Sequence, residues 1–195
     1  VVAQLAADFP RSDLPEFIDV YGITDQKLLV ELATTSMERS ALTTIENIHR
    51  FGITDPTARV ELARIASRKD PSTLVSHVES FGIEDPAIRG ELALACARSS
   101  PIKVALEIER FRLDDPAVLM QLAQRAMLTD PVQCLPSVIN KFGLSQEQLN
   151  AEIIDAGFAR IGGTYGATGN RAGASYLFGT YTGNFRRVLS TPRDL

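Results

Sequence analysis

Apolar residues recur along this chain at helical spacing, in short stretches separated by turn residues. One such stretch predicts a helix A over about 56–68 and, directly after it, a helix B over about 71–81. Helices this short are marginal on their own in water, so their apolar faces must pack against neighbours. The residues predicted to be buried are Ala58, Leu62, Ile65, Ala66, Leu74, Val75, Val78 and Phe81.

Capping residues bound both predicted helices. Asp55 and Asp70 can each accept a hydrogen bond from the first free N–H groups of a helix, and the proline after each aspartate has the backbone angle of a first helical turn. Gly82 follows helix B and can take the left-handed conformation that ends many helices, with Ile83 packing back on the helix. The two helices are therefore predicted to form one capped hairpin.

The same pattern returns about every 30 residues, and this repetition is the main signal in the sequence. Because each hairpin can bury its apolar faces only against its neighbours, the predicted fold class is all-α, an α-solenoid of stacked two-helix repeats. Aromatic-led triplets begin at Tyr21, Phe51, Phe81, Phe111 and Phe142, Leu-Ala pairs begin at Leu32, Leu62, Leu92 and Leu122, and small residues follow at Ser36, Ala66, Cys96 and Ala126.

The repeats divide the chain into three regions. Residues 1–20 are interpreted as a partial repeat, because they already occupy helix A columns, and the chain is therefore interpreted as a piece of a longer protein. Residues 21–157 are the repeats, in units that start near 21, 51, 81, 111 and 142. In the unit that starts near 111, Pro136 and a one-residue insertion before Phe142 predict a kinked or irregular helix B.

Residues 158–195 differ in composition. They hold 7 of the 13 glycines and 6 of the 13 aromatic residues, with five arginines, one aspartate and no lysine. A phosphate-binding loop requires a lysine after its glycines, and a dinucleotide loop requires a preceding strand, whereas a helix is predicted here. The segment is interpreted as a cap of irregular or short-hairpin structure, or as the lead-in to a further domain.

Composition excludes several function classes. The net charge is −4, and residues 1–149 carry 15 basic and 21 acidic residues, which disfavours binding to nucleic acid. No apolar run approaches 18 residues, so no membrane span is predicted. Cys96 and Cys134 lack metal-site spacing, and they fall in the small-residue column of helix A and an apolar column of helix B. This favours core thiols, a reducing compartment such as the cytoplasm, and no metal or cofactor.

Candidate binding residues are the variable positions on the outer faces of the helices. The column Glu31, Glu61 and Glu91 is interpreted as a solvated or arginine-paired face, and the alternative is a site for a cation or a basic peptide. The spacings of Asp55–Arg59 and Asp85–Arg89 predict two weak ion pairs of about 0.2–0.5 kcal/mol each. No catalytic set emerges. The predicted partner-binding residues are Asn47, His77 and Glu107 on helix B and Thr34, Arg64, Leu94 and Gln124 on helix A.

The units resemble α-solenoid helical-hairpin repeats as a class. Over residues 21–157 they are similar to the repeats of mitochondrial transcription termination factors, with about the same length, an aliphatic-Gly-Leu turn and a proline between helices. That resemblance implies a nucleic-acid groove, but the groove of that family is basic and this array is acidic. We therefore expect a non-catalytic protein–protein interaction scaffold. The alternatives are a substrate-positioning part of an enzyme whose catalytic domain begins in or after the glycine-rich segment, and a nucleic-acid-binding array.

Overall fold

The computed structural model describes residues 14–144, and over this range the protein is all-α, as the sequence predicts. Most of the predicted unit that starts near 142, the segment 158–195 and most of the partial repeat at 1–20 lie outside the described residues. A short helix, α1, opens the described range, and each unit then contributes a first and a second helix. The helices are α1 (Leu14–Phe17), α2 (Gln26–Arg39), α3 (Ala41–Glu46), α4 (Pro56–Lys69), α5 (Pro71–His77), α6 (Pro86–Cys96), α7 (Pro101–Leu106), α8 (Pro116–Thr129) and α9 (Pro131–Lys141).

Two columns of side chains form the core. The first helices α2, α4, α6 and α8 contact one another in chain order, and so do the second helices. Every leucine and alanine of the four Leu-Ala pairs is at most 2% exposed, and the phenylalanines that end the second helices are at most 1% exposed. Alanine in the first column allows close approach of neighbouring helices, and the phenylalanines fill the space between the layers. The phenylalanines are Phe51, Phe81, Phe111 and Phe142.

Aspartates cap the helices at the predicted positions. Asp55 accepts a hydrogen bond from the amide of Thr57 at 2.9 Å, and Asp70 accepts one from the amide of Thr73 at 3.0 Å. Ser100 occupies the column of Asp70 in the next unit but makes no side-chain hydrogen bond to the helix. Equivalent caps are made by Asp25, Asp85, Asp115 and Asp130.

We expect Asp70→Ala to lower the free energy of unfolding by about 1 kcal/mol, because the amide of Thr73 loses its partner. Ser100→Ala is the matched control, since Ser100 caps nothing, and it should change stability by less than about 0.5 kcal/mol. Urea unfolding of both variants measures the difference. Equal losses in the two variants would contradict the cap assignment.

The second helices differ from the predicted single α-helix. α5 ends at His77, and a 3₁₀ segment, Val78–Phe81, completes the path to the core phenylalanine. An α-helix turns about 100° and rises about 1.5 Å per residue, whereas a 3₁₀-helix turns about 120° and rises about 2.0 Å. The path from Pro71 to Phe81 therefore turns about 1080° and rises about 17 Å, which is three full turns. A continuous α-helix over the same residues would leave the phenylalanine about 80° short of that direction.

The second helix that contains Pro136 is one continuous α-helix rather than an irregular one, and its predicted kink stays a prediction. α9 runs without interruption from Pro131 to Lys141, and Phe142 follows it with α-helical backbone angles. The inserted residue explains the difference, because eleven α-helical steps turn about 1100° and rise about 16.5 Å. The longer α-helix thus delivers Phe142 to nearly the same place as the shorter mixed helix delivers Phe81. The remaining 3₁₀ segments are Ile18–Tyr21, Ile48–Phe51 and Ile108–Phe111.

Candidate functional site

A groove of about 530 Å³ lies between α4 and the turn that leads into α6. Val60, Ile83 and Ile88 form its apolar floor, and Ile83 and Ile88 also pack against the hydrophobic core. Glu84 and Asp85 stand at its edge at the start of α6. One wall of the groove is therefore built by the turn before α6 and by the start of α6, both of which belong to the repeat pattern.

Arg64 lies at the centre of an ion-pair cluster on the α4 side of the groove. Its guanidinium donates to both oxygens of Glu91, at 2.9 and 2.8 Å, and to Glu61 at 2.6 Å. The hydrogen bond from Arg64 lowers the pKa of Glu91, and the bonds to the two carboxylates raise the pKa of Arg64. Of the two readings predicted for this face, solvated or arginine-paired, these contacts match the second at Glu61 and Glu91.

Glu84 and Asp85 give the groove an acidic edge. One oxygen of Asp85 accepts a hydrogen bond from the amide of Ala87 at 2.8 Å, which caps α6 and leaves the other oxygen available. The carboxylate of Glu84 forms no ion pair within residues 14–144. Arg59 is the other cation that lines the groove, besides Arg64. Because three carboxylates line the groove (Glu61, Glu84 and Asp85) against two guanidinium groups, the groove as a whole favours a positively charged occupant.

The predicted helix A residues occupy equivalent positions on α2, α4, α6 and α8, and their role in partner binding stays a prediction. Arg64 lines the groove, whereas Thr34 is half-buried and donates from Oγ1 to the carbonyl of Val30 at 2.8 Å. Leu94 is half-buried and packs against the core, and Gln124 is exposed on α8.

The predicted helix B residues lie where α-helix gives way to 3₁₀-helix. Asn47, His77 and Glu107 have φ angles of −107°, −124° and −116°. Asn47 donates from Nδ2 to the carbonyl of Thr43 at 2.9 Å, and Glu107 accepts from Nε of Arg110 at 2.8 Å. These three residues therefore share a structural position, the start of a 3₁₀ segment. Their role in partner binding stays a prediction.

Ion pairs connect neighbouring units at a column that the sequence analysis missed. The basic residue just before the core aromatic of one unit pairs with an acidic residue two before the aromatic of the preceding unit. His49 and Ser80 stand at the corresponding positions between the first pair and the second, where no such ion pair is possible. The pairs are Arg50–Asp19 at 3.8 Å, Arg110–Glu79 at 3.8 Å and Lys141–Glu109 at 2.9 Å.

A second cavity, of about 270 Å³, lies where that ion pair is missing. Its lining includes His49 and Ser80, together with Arg59 from α4. Gly52, Thr54 and apolar side chains from the core form the rest of its wall. Four side chains are apolar. They are Ile48, Ile53, Leu62 and Phe81.

The predicted ion pairs of Arg59 and Arg89 with the capping aspartates are wrong. Nε of Arg59 donates to the carbonyl of Ile53 at 2.7 Å, and Arg89 donates to the carbonyl of Glu84. Both arginines thus fold back on the turn that precedes their own helix. Arg59 also passes close to Gly82, where an added Cβ would lie 2.7 Å from its Nη1. Glycine at this position therefore allows both the positive φ of +60° and the close approach of the guanidinium.

The two cysteines are core thiols, as the sequence predicts. Burial raises the pKa of Cys96 to about 12. Burial, with the negative charge of Asp130, raises the pKa of Cys134 to about 11. Since the thiolate is the nucleophile, neither thiol is activated in the folded protein at neutral pH.

We expect iodoacetamide at about pH 8 to leave both cysteines of the folded chain unmodified and to alkylate both in urea. Folded and unfolded chains keep their thiol protons below about pH 9, the ordinary thiol pKa. Above it only the unfolded chain ionises, so the free energy of unfolding should fall as the pH rises towards 11 or 12. Mass spectrometry measures the labelling, and native alkylation as fast as in urea would contradict this burial.

Comparisons with known proteins do not assign a function. No family model, curated protein or solved structure matches this chain. Within residues 14–144, no helix combines the length and apolar character needed to cross a membrane, and no three His, Cys, Asp or Glu side chains gather closely enough to hold a metal ion. The geometry of the groove and the cavity is therefore the basis for a functional proposal.

Proposed function

We propose that the chain is an α-solenoid of two-helix repeats that acts as a non-catalytic protein–protein interaction scaffold, with its partner seated in the groove between α4 and α6. The groove carries the proposal because it joins an apolar floor to a charged edge. Protein interfaces use desolvated apolar contacts for affinity and complementary charges for orientation.

The repeat architecture is supported by contacts that recur from unit to unit. First helices pack on first helices and second helices on second helices, and ion pairs such as Arg110–Glu79 and Lys141–Glu109 join successive units at one column. Stacked repeats of this kind present extended surfaces on which a segment of a partner can lie.

The charges support a basic partner segment. Glu84 and Asp85 lie at the edge of the groove, and Asp114 and Asp115 occupy the same exposed columns one unit further along. Packed helices lie about 8–10 Å apart, a distance that a polyproline II chain covers in about three residues. A partner with lysine or arginine at every third position, and apolar residues between, would match both the spacing and the charge.

A pair of synthetic peptides tests the proposal on the full chain. The probe is Lys-Pro-Leu-Lys-Pro-Leu-Lys, and the control carries glutamate in place of each lysine. We expect the lysine peptide to bind and the glutamate peptide to bind at least about tenfold more weakly, because like charges would meet at the edge of the groove. Isothermal titration calorimetry measures both, and equal binding of the two peptides would contradict the proposal.

Two charge-reversed variants locate the binding surface. Glu84→Lys should weaken binding of the lysine peptide by at least about tenfold. Glu46→Lys makes the same charge change at an exposed carboxylate on α3, away from the groove lining, and should stay within about twofold of the unchanged chain. If both variants bind equally, the groove is not the binding site.

A further inference from the structure

We propose that the cavity lined by His49, Arg59 and Ser80 binds a carboxylate carried on a small aliphatic group, as at the free C-terminus of a peptide that ends in leucine. This site is distinct from the groove, with which it shares only Arg59 among its lining residues. It does not depend on the function proposed above.

The cationic side of the cavity is Arg59. Its Nε is held by the carbonyl of Ile53, which fixes the guanidinium against the turn, and no carboxylate pairs with it within residues 14–144. Among the described residues that line the cavity, none is acidic. A half-buried guanidinium without a counter-ion favours an anionic occupant, and its planar donor pairs suit a carboxylate.

The neighbouring units explain why this position is open. At the equivalent place one unit later, Glu79 and Arg110 lie 3.8 Å apart and span the boundary between the units. Here the same columns hold His49 and Ser80, whose side chains have no hydrogen-bond partner within the described range. Because His49 and Ser80 together are shorter than the Glu79–Arg110 pair, they leave a polar opening. Their imidazole and hydroxyl are then available to an incoming ligand.

The remaining wall selects an aliphatic carrier for that carboxylate. Ile48, Ile53, Leu62 and Phe81 are among the residues that line the cavity, and they give it an apolar side. A phosphate has no apolar part to bury against this side of the cavity and would lose water there. An aliphatic residue, by contrast, gains by burial of its apolar surface. A volume of about 270 Å³ suits one such residue.

Matched ligands test the chemistry on the full ¹⁵N-labelled chain. The probe is acetyl-Gly-Gly-Leu with a free carboxylate, and the control is the same peptide as its C-terminal amide. We expect the acid to shift the amide resonances of Gly52 and Thr54, and the amide to bind at least about tenfold more weakly. Equal binding of acid and amide would overturn the proposal, as would inorganic phosphate binding as tightly as the acid.

The repeat itself supplies the variants. Leu29 and Leu119 occupy the column of Arg59 in other units, so Arg59→Leu is compatible with the fold and should weaken binding of the acid at least about tenfold. Arg89→Leu, in the same column one unit later, is the control and should stay within about twofold. Equal binding by the two variants would place the carboxylate elsewhere and overturn the proposal.

The double variant His49→Glu with Ser80→Arg installs the ion pair of the neighbouring units without altering Arg59. It should abolish binding of the acid, because a carboxylate of the protein then occupies the opening. Retained binding would overturn the proposal. The groove proposal would survive either result, since its peptides and its Glu84→Lys variant do not involve this opening.

Discussion

Leu92→Asp should strongly destabilise the described array at room temperature. Leu92 lies on α6 in a central unit and is 1% exposed, in the column that packs each first helix against the next. Aspartate there would leave a buried charge without a partner, which costs more than about 4 kcal/mol. A small domain is stable by only about 5–15 kcal/mol, so this one change removes a large part of that stability. Far-ultraviolet circular dichroism and thermal melting measure the loss.

Two further substitutions separate the effect of the column from the effect of the residue type. Leu42→Asp makes the same change at a leucine that is 52% exposed at the start of α3, where a negative charge near the helix N-terminus is tolerated. It should alter stability by less than about 1 kcal/mol. His77→Ala, at a half-buried position, should change it by less than about 0.5 kcal/mol. If His77→Ala proved as damaging as Leu92→Asp, the assigned faces of helix B would be wrong.

The first helices and their caps could be predicted because each depends on a local pattern. Leu62 and Ala63 recur at helical spacing, and Asp55 before a proline marks a helix start by its own chemistry. In the structure Leu62 and Ala63 are buried, and Asp55 caps α4. Such features need no knowledge of the neighbouring unit.

The 3₁₀ ends of the second helices could not be predicted from apolar spacing. Leu74, Val78 and Phe81 are spaced at i, i+4 and i+7, which fits an α-helix, and the 3₁₀ turn preserves their burial. The signal lies in a comparison of helix lengths, because Phe81 is ten positions after Pro71 whereas Phe142 is eleven positions after Pro131. The difference in length predicts a 3₁₀ or an α-helical end only once it is known that both phenylalanines reach equivalent places in the core.

The candidate sites depend on pairs of columns, and this is why sequence reasoning found only part of them. Arg64 was identified as a variable outer residue, but Val60, Ile83 and Glu84 become one surface only when two units are placed side by side. The cavity at His49 likewise depends on the next unit, which has Ser80 where other units have a basic residue. A search for complementary charges at a separation of about one unit would have found the ion pairs and their interruption.

Insertion and deletion at the end of helix B should have unequal effects. One alanine inserted after His77 gives the second unit the eleven steps that α9 uses, so the path to Phe81 can become continuous α-helix and reach the same direction. We expect a loss of at most about 1 kcal/mol. By the same argument, deletion of Asn140 from α9 leaves ten steps, which a 3₁₀ end accommodates as in α5, and should also be tolerated.

Deletion of His77 has no such solution and should cost several kcal/mol. The nine remaining steps would bring Phe81 to its place only if the whole helix became 3₁₀, and 3₁₀ runs longer than about three or four residues are unfavourable. Otherwise Phe81, which is 1% exposed, turns about 100° away from the core, a loss of about 3–5 kcal/mol comparable to its truncation. Urea unfolding of the insertion and the two deletions measures the asymmetry. Similar losses from inserting and deleting at His77 would show that helix length, rather than winding, sets the position of the core phenylalanine.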